Sequence, residues 1–176
     1  MLNVILIIIA VIIVVLVIVI ALQPAESRVS RSTTISAPPA AVFAHVNDFH
    51  MWEAWSPWEK VDPAVKKTYG GSPTGVGATY AWEGNKEVGA GNMKIIESRP
   101  GELIRIHMEF LKPMKGLSTT DFTFKQEGDD TIVTQTMYGP KNFVSKAMCL
   151  VMNIDNMIGG MFEKGLASLK SVVERS

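Results

Sequence analysis

The groups able to do chemistry are few and scattered along the chain. Asp155 lies at helical spacing from Val151, Ile158 and Phe162. That puts it either on a buried helix face, where a carboxyl needs a partner or a raised pKa, or on a solvated flank beside Asn153 and Asn156. No residue is assigned a catalytic role, and Asp155 is the group to test for one. Glu83 and Asn85 flank Gly84 just after Trp82, so they either reach a cavity mouth or build a turn. His107 alternates with Arg105 and Glu109 on what reads as the solvent face of a strand, while His45 and His50 have no matching Cys or Asp pattern. No Ser-His-Asp arrangement can be assembled from these spacings. The single cysteine, Cys149, excludes an internal disulfide and the common zinc spacings. Between Met148 and Leu150 it reads as a small buried hydrophobe. The expectation is a protein without metal or cofactor.

Soft apolar side chains are abundant instead, with ten Met and four Trp among 176 residues. A flexible, polarizable Met-rich surface adapts to varied apolar shapes. The candidates for such a ligand-binding surface are Trp55, Tyr80, Trp82, Met93, Met108, Phe110, Met137, Met148, Met152 and Met157. Each of them alone also reads as ordinary core. Trp52 reads as a pin between a short helix and the sheet, whereas Trp55 and Trp58 could equally form a lid at a membrane interface.

The elements that must carry these residues fall into an apolar leader, a joint and one domain. Lys plus Arg and Asp plus Glu balance at 17 each, with no basic run, which argues against nucleic acid as a partner. From Val4 to Leu22 runs an unbroken series of nineteen Val, Ile, Leu and Ala residues, about 28 Å as a helix and matched to a bilayer's hydrocarbon core. No Lys or Arg precedes it, and Ala21-Leu22-Gln23-Pro24 is not a small-x-small cleavage site. It therefore reads as an uncleaved single-span anchor, residues 1–22, rather than a signal peptide. Arg28 and Arg31 follow it, so the positive-inside bias puts the globular part on the cytoplasmic side of an inner or plasma membrane. Residues 23–27 form a polar linker too short to let the domain, residues 28–176, move far from lipid.

Within that domain Arg28 to Ser36 reads as a strand, and Ala40 to Val46 as a short helix opened by Pro39. Phe49 to Trp58 reads as a second short helix with one aromatic face. Six further runs alternate in the manner of an antiparallel meander: Val65 to Tyr69, Gly77 to Glu83, Gly89 to Ser98, Glu102 to Phe110, Ser118 to Glu127 and Thr131 to Tyr138. In the clearest, Ile104, Ile106, Met108 and Phe110 share the inward face. Asn142 to Arg175 has helical periodicity and reads as one long helix, bent or closely approached at Gly159-Gly160.

Local sequence then points to a family. Ile35-Ser36-Ala37-Pro38-Pro39-Ala40-Ala41-Val42-Phe43, Trp52-Glu53-Ala54-Trp55-Ser56-Pro57-Trp58 with Asp62-Pro63, Gly75-Val76-Gly77-Ala78, Trp82-Glu83-Gly84-Asn85 and Met93-Lys94-Ile95 resemble the SRPBCC superfamily. That superfamily groups START domains, the birch-pollen-allergen proteins and polyketide cyclases, and the closest likeness is to its bacterial polyketide cyclase-like subgroup. The resemblance implies an α+β helix-grip fold, a curved antiparallel sheet of seven strands around a long C-terminal helix, with two short helices after the first strand. It also implies a cavity between sheet and helix. With the anchor, the expected function is a membrane-bound module holding a lipid or isoprenoid-like molecule. The alternatives are an accessory subunit whose span packs on other membrane subunits, and a cyclase- or hydrolase-type enzyme using the same cavity.

Overall fold

Alternating side chains build the sheet, and the computed structural model places them as the pattern requires. The structure describes residues 1–175, apart from the side chain of Val151; Ser176, the end of the expected domain, lies outside the described residues. Seven strands, β1 (Glu26–Ile35), β2 (Lys66–Gly70), β3 (Thr79–Glu83), β4 (Ala90–Arg99), β5 (Leu103–Lys112), β6 (Gly116–Glu127) and β7 (Asp130–Pro140), form one antiparallel sheet in the order β1-β7-β6-β5-β4-β3-β2. Register irregularities in β4, at Ala90/Gly91 and Ile95/Glu97, add the local bend that curls the sheet.

The helices follow their boundary signals. Pro39 occupies the first turn of α2 (Pro39–Asn47), where its missing N–H costs nothing. Two 3₁₀ segments, Phe49–Ala54 and Pro57–Lys60, replace the expected second short helix. Ser56-Pro57 divides them, because the residue before a proline is pushed out of the helical region. The concave face of the sheet closes over α4 (Ile154–Val173), which buries Leu166, Leu169 and Val173 in one core with Ile35, Val42, Val46, Ile104 and Phe122.

The expected long C-terminal helix is present as α4, but its expected span, Asn142 to Arg175, needs correction. The chain forms two helices, α3 (Phe143–Val151) and α4, separated at Met152-Asn153 and continuous through Gly159-Gly160. Met152 is extended (φ −113°, ψ 130°), and the Asn153 side chain accepts from Asn156 N–H at 3.0 Å, restarting the helix with a cap. Gly159 serves a close approach instead. A Cβ on Gly159 would collide with the Arg31 guanidinium, which bonds the carboxylates of Asp155 (2.9 Å) and Glu163 (2.7 Å) across that surface.

At the other end, α1 (Leu2–Leu22) is the one helix among the described residues long and apolar enough to cross a membrane. Only Ile20 of it is buried. Its C-terminal end packs against α3, with Lys146 Nζ donating to the Ala21 carbonyl at 3.2 Å.

Candidate functional site

Two rows of side chains cross the concave face and wall a cavity of about 270 Å³ between the sheet, α4 and the 3₁₀ segments. Antiparallel registry sets the first row, since Tyr80 pairs with Met93 and Met93 with Met108. The second contains Trp82, Gly91 and Phe110. Gly91 leaves the space between its two aromatic neighbours: a Cβ there would stand 2.6 Å from the Trp82 ring. Trp82 and Phe110 accordingly meet edge to face over it, with ring centroids 6.0 Å apart. Met137 on β7, Phe49 and Trp52 from the first 3₁₀ segment, and Ile158 and Phe162 from α4 complete the apolar wall.

Besides Ser56, Glu87 and Lys112, polar groups enter this wall at two places. Glu59 of the second 3₁₀ segment accepts from the Tyr80 hydroxyl at 3.5 Å and forms an ion pair with Lys67. Lys67 also bonds Glu53 at 2.7 Å. Burial alone would lower the Lys67 pKa, but hydrogen bonds to Glu53 and Glu59 outweigh it and leave the ammonium firmly charged. Burial, with the nearby Glu59 carboxylate, pushes the Tyr80 phenol up. It stays protonated at neutral pH and acts as a donor rather than a base. The second place is the β6–β7 face, where Thr120 and Gln135 line the cavity; the Thr120 hydroxyl donates to Met108 Sδ at 3.2 Å.

The mouth opens between the second 3₁₀ segment, the β3–β4 turn and the end of β5, past Trp58, Val88, Lys112 and Pro113. Buried Asp62 holds these loops together, because its carboxylate accepts the N–H groups of Ala64 (3.1 Å) and Asn85 (2.7 Å). Trp82 Nε1 donates to the Val88 carbonyl at 3.3 Å.

Of the ten side chains that the sequence singles out for ligand contact, the cavity brings together Tyr80, Trp82, Met93, Met108, Phe110 and Met137. Trp55, 3% exposed, sits behind the wall in the core, its indole donating to the His45 carbonyl at 3.1 Å. Trp52 pins in the same way to the Val46 carbonyl at 3.0 Å and also faces the cavity. Met148, Met152 and Met157 do not line this cavity. The break at Met152-Asn153 ends the periodicity that would have kept them on one side, and Met157 is 52% exposed. Met152 instead edges an open groove of about 520 Å³, with Gln23, Arg28, Lys141 and Asp155. That groove has mixed polar and apolar walls and lies against β1, apart from the cavity.

Asp155 is exposed, and its hydrogen bond from Arg31 holds the carboxyl below its ordinary range. The buried, raised-pKa alternative does not occur. Asn85 builds a turn, its side chain accepting from Glu87 and Val88 N–H at 2.8 and 3.1 Å, while Glu83 bonds Lys112 on the exposed surface at 3.1 Å. His107 points to solvent. Sequence reasoning missed Glu59, Asp62, Thr120 and Gln135. Alternation carried a signal for two of them, since Gln135 shares a strand face with Val133 and Met137, and Thr120 shares one with Phe122. The contacts of Glu59 and Asp62 join segments far apart in the chain, which spacing does not reveal.

A concave sheet gripping a helix over an apolar, partly polar-lined cavity defines a helix-grip domain. Residues 26–174 match the family model described as "Polyketide cyclase / dehydrase and lipid transport", and the chain belongs to that family, within the SRPBCC superfamily. Solved structures agree on the fold. A Rhizobium leguminosarum protein shares 16% identity at a TM-score of 0.60, covering 86% of this chain and 96% of that one. A Chromobacterium violaceum protein shares 18% at 0.57, covering 86% and 99%. Ara h 8.0201 shares 10% at 0.55, again covering 86% and 99%. Among curated proteins, none matches the sequence.

Proposed function

We propose that the chain is a membrane-anchored binding module that holds one apolar small molecule, of lipid or isoprenoid class, in the cavity between the sheet and α4. The observation that carries this reading is the double row of Tyr80, Met93 and Met108 beside Trp82 and Phe110, with a cavity of about 270 Å³ between these rows and α4 rather than a filled core. A wall of aromatic and thioether groups with a few fixed polar ones is the composition of small-molecule pockets. The Glu59–Tyr80 pair and the Gln135 amide provide hydrogen bonds for one polar end of the guest. With α1 as a membrane span, Arg28 and Arg31 favour the cytoplasmic side for the domain.

A cavity-filling variant tests the proposal. Native mass spectrometry of the full chain released from nanodiscs, followed by organic extraction, is expected to give one lipid-like molecule per chain. Met137→Trp, which puts a larger ring into the cavity at a strain cost of about 1–3 kcal/mol, is expected to lose that molecule while keeping the far-ultraviolet circular dichroism of the parent. A chain with no bound species, or a species retained equally by the variant, overturns the reading.

A further inference from the structure

The cavity mouth lies at the end of the sheet where α1 passes into β1. The registers show this, because Glu26 stands opposite Pro140, Glu83 opposite Ala90, Ala90 opposite Lys112, and Phe110 opposite Gly116. Two segments border that end: residues 111–117, where the β5–β6 hairpin ends, and α3, which follows β7. Leu111, Met114 and Leu117 of the first and Phe143, Val144 and Leu150 of the second are exposed, Leu117, Phe143 and Val144 by 50%, 51% and 57%. Apolar groups gathered in this way mark an interaction surface.

Lysines gather beside these apolar groups, at an end of the sheet that also carries Glu26, Glu83 and Glu87, with Glu83 paired to Lys112 at 3.1 Å. No Asp or Glu occurs from Phe110 to Thr120 or from Thr131 to Ile154, while Lys112, Lys115, Lys141 and Lys146 fall within those stretches. The opposite end of the sheet carries Glu127, Asp129 and Asp130 at the β6–β7 turn and Glu102 before β5. The whole chain is nevertheless neutral. Three residues, Gln23 to Ala25, separate α1 from β1. They span at most about 10 Å, close to one Debye length at physiological salt. The Lys146 bond to Ala21 fixes α3 at the level where α1 ends.

We infer that the hairpin end 111–117 and α3 dock together on the anionic headgroups of the bilayer, with their apolar side chains at the acyl boundary and Lys115 and Lys141 on the phosphates. The cavity mouth then faces lipid. Cationic and apolar groups together are what an interfacial element needs. This inference rests on the reading of α1 as a membrane span.

The test uses the full chain in nanodiscs of phosphatidylcholine alone or mixed with phosphatidylglycerol. Nitroxide labels are attached to Met114→Cys, Phe143→Cys or, as a control at the far end, Asp129→Cys, each in a Cys149→Ser background. Collision with a water-soluble nickel complex is expected to fall severalfold at 114 and 143 when anionic lipid is added, and to stay constant at 129. Adding Lys115→Glu and Lys141→Glu to the labelled chains is expected to abolish the fall. Labels at 114 and 143 as accessible as that at 129 in both discs overturn docking. Equal shielding in both discs also overturns it, and assigns the surface to a second copy or a partner protein. Alkaline extraction of the same labelled chains from vesicles reports on α1 separately. An integrated chain with accessible labels defeats docking alone, and an extracted chain defeats the reading beneath it.

Discussion

Gly159 and Gly160 are neighbours in α4 with opposite constraints. A Cβ on Gly160 meets nothing within 4 Å, whereas one on Gly159 displaces Arg31 from Asp155 and Glu163. Gly160→Ala is therefore expected to stabilise the chain by up to about 1 kcal/mol in denaturant unfolding, the ordinary helix-propensity gain. Gly159→Ala is expected to gain less, because Arg31 must leave its partners. Equal gains would show that the Arg31 cluster contributes nothing. The acid limb of stability belongs to the same scale. Asp155 bonded by Arg31, Glu53 by Lys67 and Glu174 by the Ser36 N–H are all carboxyls held below their ordinary values. A depressed carboxyl pKa stabilises the fold above the unfolded-state value of about 4 and loses that contribution as pH falls through the lower folded value. Asp155→Asn is expected to melt earlier than the parent near neutral pH, with the gap closing as the pH falls from about 5 to about 3. A gap that does not change with pH contradicts the Arg31 assignment.

At the scale of elements, the helix break decides which methionines reach the cavity. Asn153→Ala removes the cap on α4 and is expected to cost about 1 kcal/mol by denaturant titration, with unchanged chemical shifts in the sheet. A null effect would mean that the break is imposed by packing alone. The strands could be read from sequence because alternation at Ile104, Ile106, Met108 and Phe110 is a local pattern, set by which face meets the core. The first and last strands end a residue or two beyond their apolar alternation, because backbone pairing of Glu26 with Pro140 continues where side-chain burial has stopped. The break at Met152 was not legible in that way. Apolar periodicity continues from α3 into α4, and Gly159-Gly160 looks like the weaker point to a reader without Arg31 in view. The site divides similarly: Met93, Met108 and Met137 declare themselves by strand parity, while the Glu59–Tyr80 and Asp62–Asn85 contacts depend on how distant loops close over the sheet.

Across the whole molecule, one axis runs from α1 through the exposed apolar end of the sheet and the cavity mouth to the turns at Asp129 and Glu102. Under the proposed function, this arrangement gives the guest a short path between bilayer and cavity, with little exposure to water. Six methionines make its occupancy directly measurable. Met93, Met108 and Met137 line the cavity, whereas Met51, Met152 and Met157 are exposed outside it. The decisive measurement is methyl NMR of the full chain, labelled at methionine methyls in nanodiscs, titrated with a nitroxide-bearing fatty acid. Selective broadening of Met93, Met108 and Met137, with Met51 and Met157 unaffected, is the predicted result. Broadening confined to Met152 beside the open groove, or spread evenly over all six, would contradict a guest held between sheet and helix.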